Sequence, residues 1–190
     1  MKRVLCAFFL MSTTLIVDAA LKEGDTAPDF TAAASLAGKA TTLSLKDMLK
    51  KGPVVLYFYP SAYTNGCNLQ AHSFAVNYAK FAAAGANIVG VSLDTITRLN
   101  EFSADPEFCA GKFPVVSDDE GKLSKAYDLV VHAATPGKKD TRGNAITHGF
   151  AERTTFIIAS DGKIVASIGG LKGKENVEKS LAVVQLLKFN

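Results

Sequence analysis

The chain has 190 residues, of which 48% are hydrophobic and 21% charged, and its formal net charge at pH 7 is +3. This composition is typical of a globular domain with a sizeable core, and it excludes a largely disordered chain. The net charge is small and no run of five basic residues occurs, so we expect neither nucleic acid nor a membrane surface as a partner.

The first twenty residues have the features of a secretory signal. A positively charged start precedes an apolar stretch, Val4–Val17, and the small residues that a signal peptidase needs follow at Val17-Asp18-Ala19. The apolar stretch is shorter than the ~20 residues that span a bilayer, which disfavours the alternative of a permanent anchor. We therefore expect cleavage of residues 1–20, a single domain over residues 21–190, and export to the bacterial periplasm without membrane attachment.

The first strongly predicted element of the domain is a buried strand. VVLYFY, residues 54–59, is a continuous apolar run bounded by prolines, and it predicts a strand covered on both faces, as in a parallel sheet. A helix that ends at Gly85 follows, and NIVGVSLD, residues 87–94, predicts a second buried strand. The next helix is capped by Thr95 or Asp94. The apolar face of the first helix is predicted from positions at helical spacing: Ala71, Phe74, Ala75, Tyr78, Phe81 and Ala82.

The second half of the chain predicts a short strand, a hairpin and two helices. Residues 113–116 form a short apolar run, residues 122–129 a short helix, and residues 132–150 a long loop. Two apolar runs flank the turn Asp161-Gly162 and predict a hairpin, and residues 175–188 predict a final helix. This order of elements predicts a thioredoxin-like α/β fold, with a central mixed sheet flanked by helices and its first two strands parallel.

After signal cleavage, which removes Cys6, the chain keeps two cysteines, Cys67 and Cys109. In an exported protein such a pair often forms a structural disulfide. Cys67, however, follows the first buried strand in the sequence PSAYTNGC and lies at the start of a helix, where free N–H groups favour thiolate over thiol. Its helical face predicts a half-buried pocket. The alternative at this position is an inert core cysteine.

The sequence PSAYTNGC, residues 60–67, matches the Pro-x-x-x-Thr-x-x-Cys signature of the peroxiredoxins, with Pro60, Thr64 and Cys67 at the required spacing. The segments GDTAPDF, VVLYFYP and ERTTFIIASDGKIV also resemble that family, and the last of these carries Arg153 where the family has its active-site arginine. The resemblance runs from about residue 22 to the end of the chain, and it is strongest to the bacterioferritin comigratory protein type.

The resemblance implies a thiol peroxidase that reduces hydrogen peroxide or small organic hydroperoxides and needs no bound cofactor. Cys67 attacks the peroxide as a thiolate and becomes a sulfenic acid. Arg153 is expected to stabilise the negative charge on sulfur and on the breaking O–O bond. Thr64 is expected to accept a hydrogen bond from the peroxide and to donate one toward the sulfur. The plainer alternatives are Thr64 as a helix cap and Arg153 as a surface partner of Glu152.

Three further residues complete the implied site. The backbone N–H groups of Gly66 and Cys67 are expected to bind the peroxide oxygens, and Gly66 permits their close approach. Pro60 stiffens the turn and shields the thiolate. Gln70, one turn into the helix, is expected to orient Arg153 at the substrate site.

The sequence departs from the resembled type at the resolving cysteine. Many members have a second cysteine five residues after the first, where this chain has His72, which we expect to be an exposed helix residue. The helix after residue 94 leads away from the site, so Cys109 is predicted to lie too far from Cys67 for a disulfide unless residues 103–113 fold back. We favour a one-cysteine cycle with an external thiol or thioredoxin-like reductant, and keep Cys109 as the alternative resolving residue.

Two other functions remain open at this point. A thioredoxin-like disulfide oxidoreductase is disfavoured because Cys67 is not part of a Cys-x-x-Cys sequence. The other is a non-catalytic module in which Cys67 and Cys109 form a disulfide. The scattered cysteines and histidines predict no metal site, and we expect a monomer or weak dimer. The loop 132–150 is expected to shape the rim of the pocket.

Overall fold

The computed structural model describes residues 20–187; residues 1–19, with almost all of the predicted signal and Cys6, lie outside the described residues, as do residues 188–190. The elements in chain order are β1 (Thr31–Leu36), β2 (Lys39–Ser44), α1 (Leu45–Leu49), β3 (Val54–Phe58), α2 (Asn65–Ala83), β4 (Asn87–Ser92), α3 (Ile96–Ala104), β5 (Val115–Ser117), α4 (Lys122–Ala126), β6 (Val131–His132), β7 (Phe150–Ala151), β8 (Thr154–Ile158), β9 (Ile164–Gly169) and α5 (Gly173–Leu187). Within residues 20–187, none of the helices is both long and apolar enough to cross a bilayer.

A seven-stranded mixed sheet forms the centre of the fold, in the order β2-β1-β5-β4-β3-β8-β9. The strands β3, β4 and β5 are parallel, and β8 and β9 join as the predicted antiparallel hairpin beside β3. All five residues of β3 are buried, because helices cover both faces of the sheet. The predicted central mixed sheet flanked by helices and the parallel pairing of the first two buried strands are therefore confirmed.

Alternation along β3 divides the core into two layers. Val55 and Tyr57 point into the layer covered by α2, α3 and α5, which also contains Phe74. Leu56 and Phe58 point into the opposite layer, which is covered by α1 and α4. Because side chains of a strand alternate between faces, one continuous apolar run supplies both layers.

The structure differs from the sequence prediction in three places. The β1–β2 hairpin and α1 were not predicted, because TAAASL and KATTLS carry few large apolar side chains. The loop 132–150 is not wholly irregular, since its two ends pair as β6 and β7. The predicted apolar face of α2 is wrong at Tyr78 and Ala82, which are exposed. Tyr78 lines an open groove with Leu36 and Phe113, which no other element within residues 20–187 covers.

The carboxyl ends of β3 and β4 meet at one edge of the sheet, as parallel pairing requires. The turn that follows β3 leads into α2, and Asp94 and the cap Thr95 follow β4 at the same edge. The edge where open α/β sheets bind ligands therefore holds the site residues predicted on this turn. It also holds Asp94, which was expected only as a helix cap.

Candidate active site

Cys67 is the third residue of α2 and is 2% exposed. The residues before it, Ser61 to Thr64, form a tight buried turn, and Tyr63 has a φ of +58°. A bulky residue rarely adopts this left-handed conformation, which costs of order 1–3 kcal/mol and persists only where surrounding contacts impose it. The strained turn places the sulfur in the first turn of the helix.

Arg153 lies beside the thiol, as predicted. It precedes β8, which pairs with β3, and its Nη2 lies 3.3 Å from Cys67 Sγ. Its Nη1 donates to Gln70 Oε1, so Gln70 contacts the guanidinium that it is predicted to orient. The structure therefore brings together residues 86 positions apart in sequence, and the alternative in which Arg153 is a surface partner of Glu152 is wrong.

Asn176 on α5 was missed from the sequence, although it is fully buried next to Gln70. Its Oδ1 accepts hydrogen bonds from Gln70 Nε2 at 3.1 Å and from Thr155 Oγ1 at 2.6 Å, and its Nδ2 donates to the Ile168 carbonyl at 3.0 Å. These bonds fix which way the Gln70 amide points, and so which of its atoms faces Arg153. A polar residue beside the apolar face of α5 was the only signal in the sequence.

The close approach of α5 to α2 depends on a glycine. A Cβ atom at Gly173 would lie 2.7 Å from the Gly66 carbonyl oxygen and 2.9 Å from Gln70 Cβ. Only a residue without a side chain allows the two helix starts to approach to this distance. Gly66 is also restricted on its other side, because a Cβ there would lie 3.3 Å from Arg153 Nη2.

Two expectations about hydrogen bonds need correction. Thr64 is the N-cap residue of α2, but its hydroxyl donates to the Ser61 carbonyl at 2.9 Å, neither toward the sulfur nor as a helix cap. The N–H group of Cys67 donates to the Thr64 carbonyl at 2.9 Å, so it is engaged within the turn. The lone pairs of Thr64 and the N–H of Gly66, at the second helical position, remain the groups suited to a peroxide. Pro60 is partly buried at the start of the turn.

Cys109 and Cys67 are both free and both belong to the apolar layer under α2. Burial, with a smaller effect of the Asp105 carboxylate, raises the pKa of the Cys109 thiol far above its usual range. The segment after α3 folds back onto α2: the exposed His72, as expected on the helix surface, contacts the Glu107 carbonyl through Nδ1 at 2.9 Å. The fold-back of residues 103–113 that the sequence left open therefore occurs, and Cys67 and Cys109 are both free.

Comparison with known proteins agrees with this geometry. The AhpC/TSA family model matches residues 23–167. Peroxiredoxin Bcp of Xanthomonas campestris is 30% identical over 132 residues, covering 70% of this chain and 76% of that protein. The crystal structure of peroxidoxin BcpB from Mycobacterium tuberculosis has a TM-score of 0.72 and 29% identity, covering 88% of this chain and 98% of that one.

A second solved structure supports the same assignment. The bacterioferritin comigratory protein of Xanthomonas campestris, described with alkyl peroxide reduction activity, has a TM-score of 0.65 and 29% identity, over 82% of this chain and 91% of that one. These matches over most of both chains confirm the thioredoxin-like fold. The chain therefore belongs to the AhpC/TSA family, as a peroxiredoxin of the bacterioferritin comigratory protein type, and is a thiol-dependent peroxidase.

Proposed function

We propose that this chain reduces hydrogen peroxide and small organic hydroperoxides, including alkyl hydroperoxides, with Cys67 as the attacking residue. The observation that carries this proposal is the guanidinium of Arg153, 3.3 Å from a sulfur at a helix start. Both features stabilise the negative charge that is shared between the sulfur and the peroxide oxygens as the peroxide bond breaks. The activity named for the Xanthomonas campestris relative supports alkyl hydroperoxides as substrates.

In the proposed reaction the Cys67 thiolate attacks the terminal oxygen of the peroxide. The S–O bond forms as the O–O bond breaks, and the electron pair of that bond leaves on the second oxygen. The sulfur is oxidised by two electrons to a sulfenic acid. The leaving hydroxide or alkoxide takes a proton and departs as water or alcohol. Arg153, next to the sulfur, stabilises the charge shared among sulfur and the two oxygens.

The other site residues position the peroxide. Thr64 donates its hydroxyl proton to Ser61, so its lone pairs are the part left to accept a hydrogen bond from the peroxide. Gly66 offers its N–H group at the second helical position. Pro60 fixes the entry to the turn and limits access of water to the thiolate. Gln70 holds the guanidinium of Arg153 in the orientation in which its Nη2 faces the sulfur of Cys67.

We further propose a one-cysteine cycle. Two equivalents of an external thiol, or one thioredoxin-like dithiol, reduce the Cys67 sulfenic acid, which yields the thiol, water and a disulfide of the reductant. Cys109 is fully buried, and burial raises the pKa of its thiol, so it is a poor nucleophile for this step. Its role as a resolving residue would require the start of α2 or the segment 105–112 to unfold.

The cellular context is also part of the proposal. We propose that residues 1–20 are a cleaved signal, that the mature protein acts in the bacterial periplasm, and that it is a monomer or weak dimer. N-terminal sequencing of the protein from the cell envelope, with sedimentation of the purified protein, tests these points. An intact Met1 in the cytosolic fraction would contradict the signal and the location.

Paired cysteine variants test the proposed function. Cys67→Ser is expected to abolish consumption of hydrogen peroxide and of an alkyl hydroperoxide, with an unchanged circular dichroism spectrum. Cys109→Ser serves as the matched control and is expected to keep the activity with a small-thiol reductant. If Cys67→Ser retains most of the activity, or if Cys109→Ser loses it while folded, the proposed cycle is wrong.

A further inference from the structure

Residues 61–64, which precede Cys67 and are called the Cys67 turn below, are bound to a buried group of charged residues that have no part in the proposed reaction. Asp94, Arg98, Asp140 and His148 form what we call the Asp94 network. The carboxylates of Asp94 and Asp140 are buried, and Arg98 joins them, with Nε at 2.8 Å from Asp94 and Nη2 at 2.8 Å from Asp140. These residues come from three places: the end of β4, the helix α3 and the loop between β6 and β7.

Asp94 holds the turn before Cys67 directly. Its Oδ2 accepts the Ala62 N–H at 2.7 Å, and its Oδ1 accepts the Ser61 hydroxyl at 3.0 Å. The carbonyl of Ser61 in turn accepts the hydroxyl of Thr64. The Asp94 carboxylate therefore sets the position of Ser61. Through its hydrogen bond with the Thr64 hydroxyl, Ser61 determines which lone pairs of Thr64 are left for the peroxide.

The loop over residues 138–148 is fastened to the same turn at a second point. Thr141 donates both its N–H, at 2.8 Å, and its hydroxyl, at 2.9 Å, to the Tyr63 carbonyl. The guanidinium of Arg142 lies 3.6 Å from the centroid of the Tyr63 ring. Tyr63 is the residue with the strained left-handed backbone, and such strain persists only where contacts impose it. The loop 138–148 therefore supplies contacts that hold the Cys67 turn in its strained form.

His148 closes the loop onto Asp94, and as a histidine it is the residue type in the network whose ordinary pKa lies nearest neutrality. Its Nδ1 faces the Gly149 carbonyl at 2.7 Å and its Nε2 faces Asp94 Oδ1 at 2.9 Å. Both neighbours are acceptors, so both ring nitrogens must donate, which only the imidazolium can do. The other groups around the ring are the Ser61 hydroxyl, the ring of Phe150 and the charge of Arg98.

The electrostatics agree with a charged pair. Burial disfavours the imidazolium, but the hydrogen bond to Asp94 and its negative charge outweigh this and raise the pKa of His148. Burial likewise opposes the Asp94 carboxylate, but hydrogen bonds from His148 and Ala62 outweigh it and lower the pKa of Asp94. A histidine whose pKa is raised by its partner keeps that contact below its pKa and loses it as the pH rises through it.

Building on the proposed function, we propose that Asp94 and His148 are positioning residues for Cys67, and that the loop 138–148 is a pH-dependent clasp on the Cys67 turn. With His148 charged, the clasp is closed and Tyr63 is held in its strained form. Loss of the His148 proton removes one donor from the ring, so the clasp loosens and the reactivity of Cys67 falls. Neither residue contacts the sulfur or the peroxide; both act through the turn.

The test compares His148→Gln with His132→Gln, a matched control because His132 is exposed on β6 outside the network. The first readout is trypsin cleavage after Lys138, Lys139 and Arg142 from pH 6 to 9, normalised to a small chromogenic substrate. Cleavage requires the loop to leave the surface. Wild type and His132→Gln are expected to show at least about a tenfold rise in cleavage with pH, as the loss of a charged hydrogen bond implies. His148→Gln is expected to be cleaved rapidly at every pH, without that rise.

The second readout is the rate constant for oxidation of Cys67 by hydrogen peroxide over the same pH range. The wild type is expected to show an alkaline fall in this rate constant that His148→Gln lacks, and Asp94→Asn is expected to react at least about tenfold more slowly. Should Asp94→Asn fail to fold, His148→Gln decides alone. The same pH profile in His148→Gln and wild type overturns the inference. A wild-type protein that consumes no peroxide is a failure of the proposed function instead, and the trypsin profile then still supports or overturns the clasp.

Discussion

The substitution Arg153→Met should slow the oxidation of Cys67 by roughly 10²-fold. It removes the guanidinium that lies 3.3 Å from the sulfur but keeps an apolar side chain of similar length. At that distance two unit charges attract by about 5 kcal/mol at an effective dielectric constant of ~20. Arg153 is partly exposed, so water screens a part of this attraction. A remaining loss of about 2.7 kcal/mol corresponds to a factor of about 100 in rate.

The assay follows one turnover. Reduced protein is mixed with excess hydrogen peroxide, quenched at set times with a thiol-alkylating reagent, and analysed by mass spectrometry for the Cys67 peptide. Lys174→Met is the matched control, because Lys174 is an exposed residue of α5 whose loss changes net charge equally. A variant Arg153→Met that folds normally and reacts within about threefold of wild type would refute the assigned role of the guanidinium.

Three further results are expected. Asn176→Leu leaves Gln70 and Thr155 without their acceptor, so it should lower the free energy of unfolding in urea by about 1–3 kcal/mol per unsatisfied group and also slow Cys67 oxidation. Gly173→Ala places a Cβ 2.7 Å from a carbonyl oxygen of α2, and should destabilise by about 1–3 kcal/mol in the same assay. The pKa of Asp94 lies below its ordinary value of 3.8, so its contribution to the free energy of unfolding should be complete above about pH 4 and should be lost as the pH falls further. The variant Asp94→Asn should lack this loss when unfolding is measured in an acid titration.

Much of the fold could be predicted because its central elements have strong local signals. A continuous apolar run predicts the buried strand β3, and a glycine at position 85 predicts the end of α2, where its φ is positive. The β1–β2 hairpin lacked such a signal, because alanine and threonine fit a sheet edge as well as a loop. Tyr78 shows the limit of periodicity, since helical spacing predicts a shared face but not whether another element covers all of it.

The site was predictable only in part, and for a different reason. The pairing of Cys67 with Arg153 rested on resemblance to a family, because nothing local joins residues so far apart. Asn176 was assigned no role and Asp94 only that of a helix cap, because their roles at the site depend on a tertiary approach: of α5 to α2, and of the loop 138–148 to the turn. A single sequence does not say which buried polar groups will meet, although every such group needs a partner.

The most direct test of the central claim is mass spectrometry of the reduced protein directly after one equivalent of hydrogen peroxide. The account predicts one added oxygen atom, on the peptide that contains Cys67, with the Cys109 thiol unmodified and no added oxygen in Cys67→Ser. Oxygen first on Cys109, or peroxide consumption without any oxidation of Cys67, would contradict the claim that Cys67 is the peroxide-reducing residue.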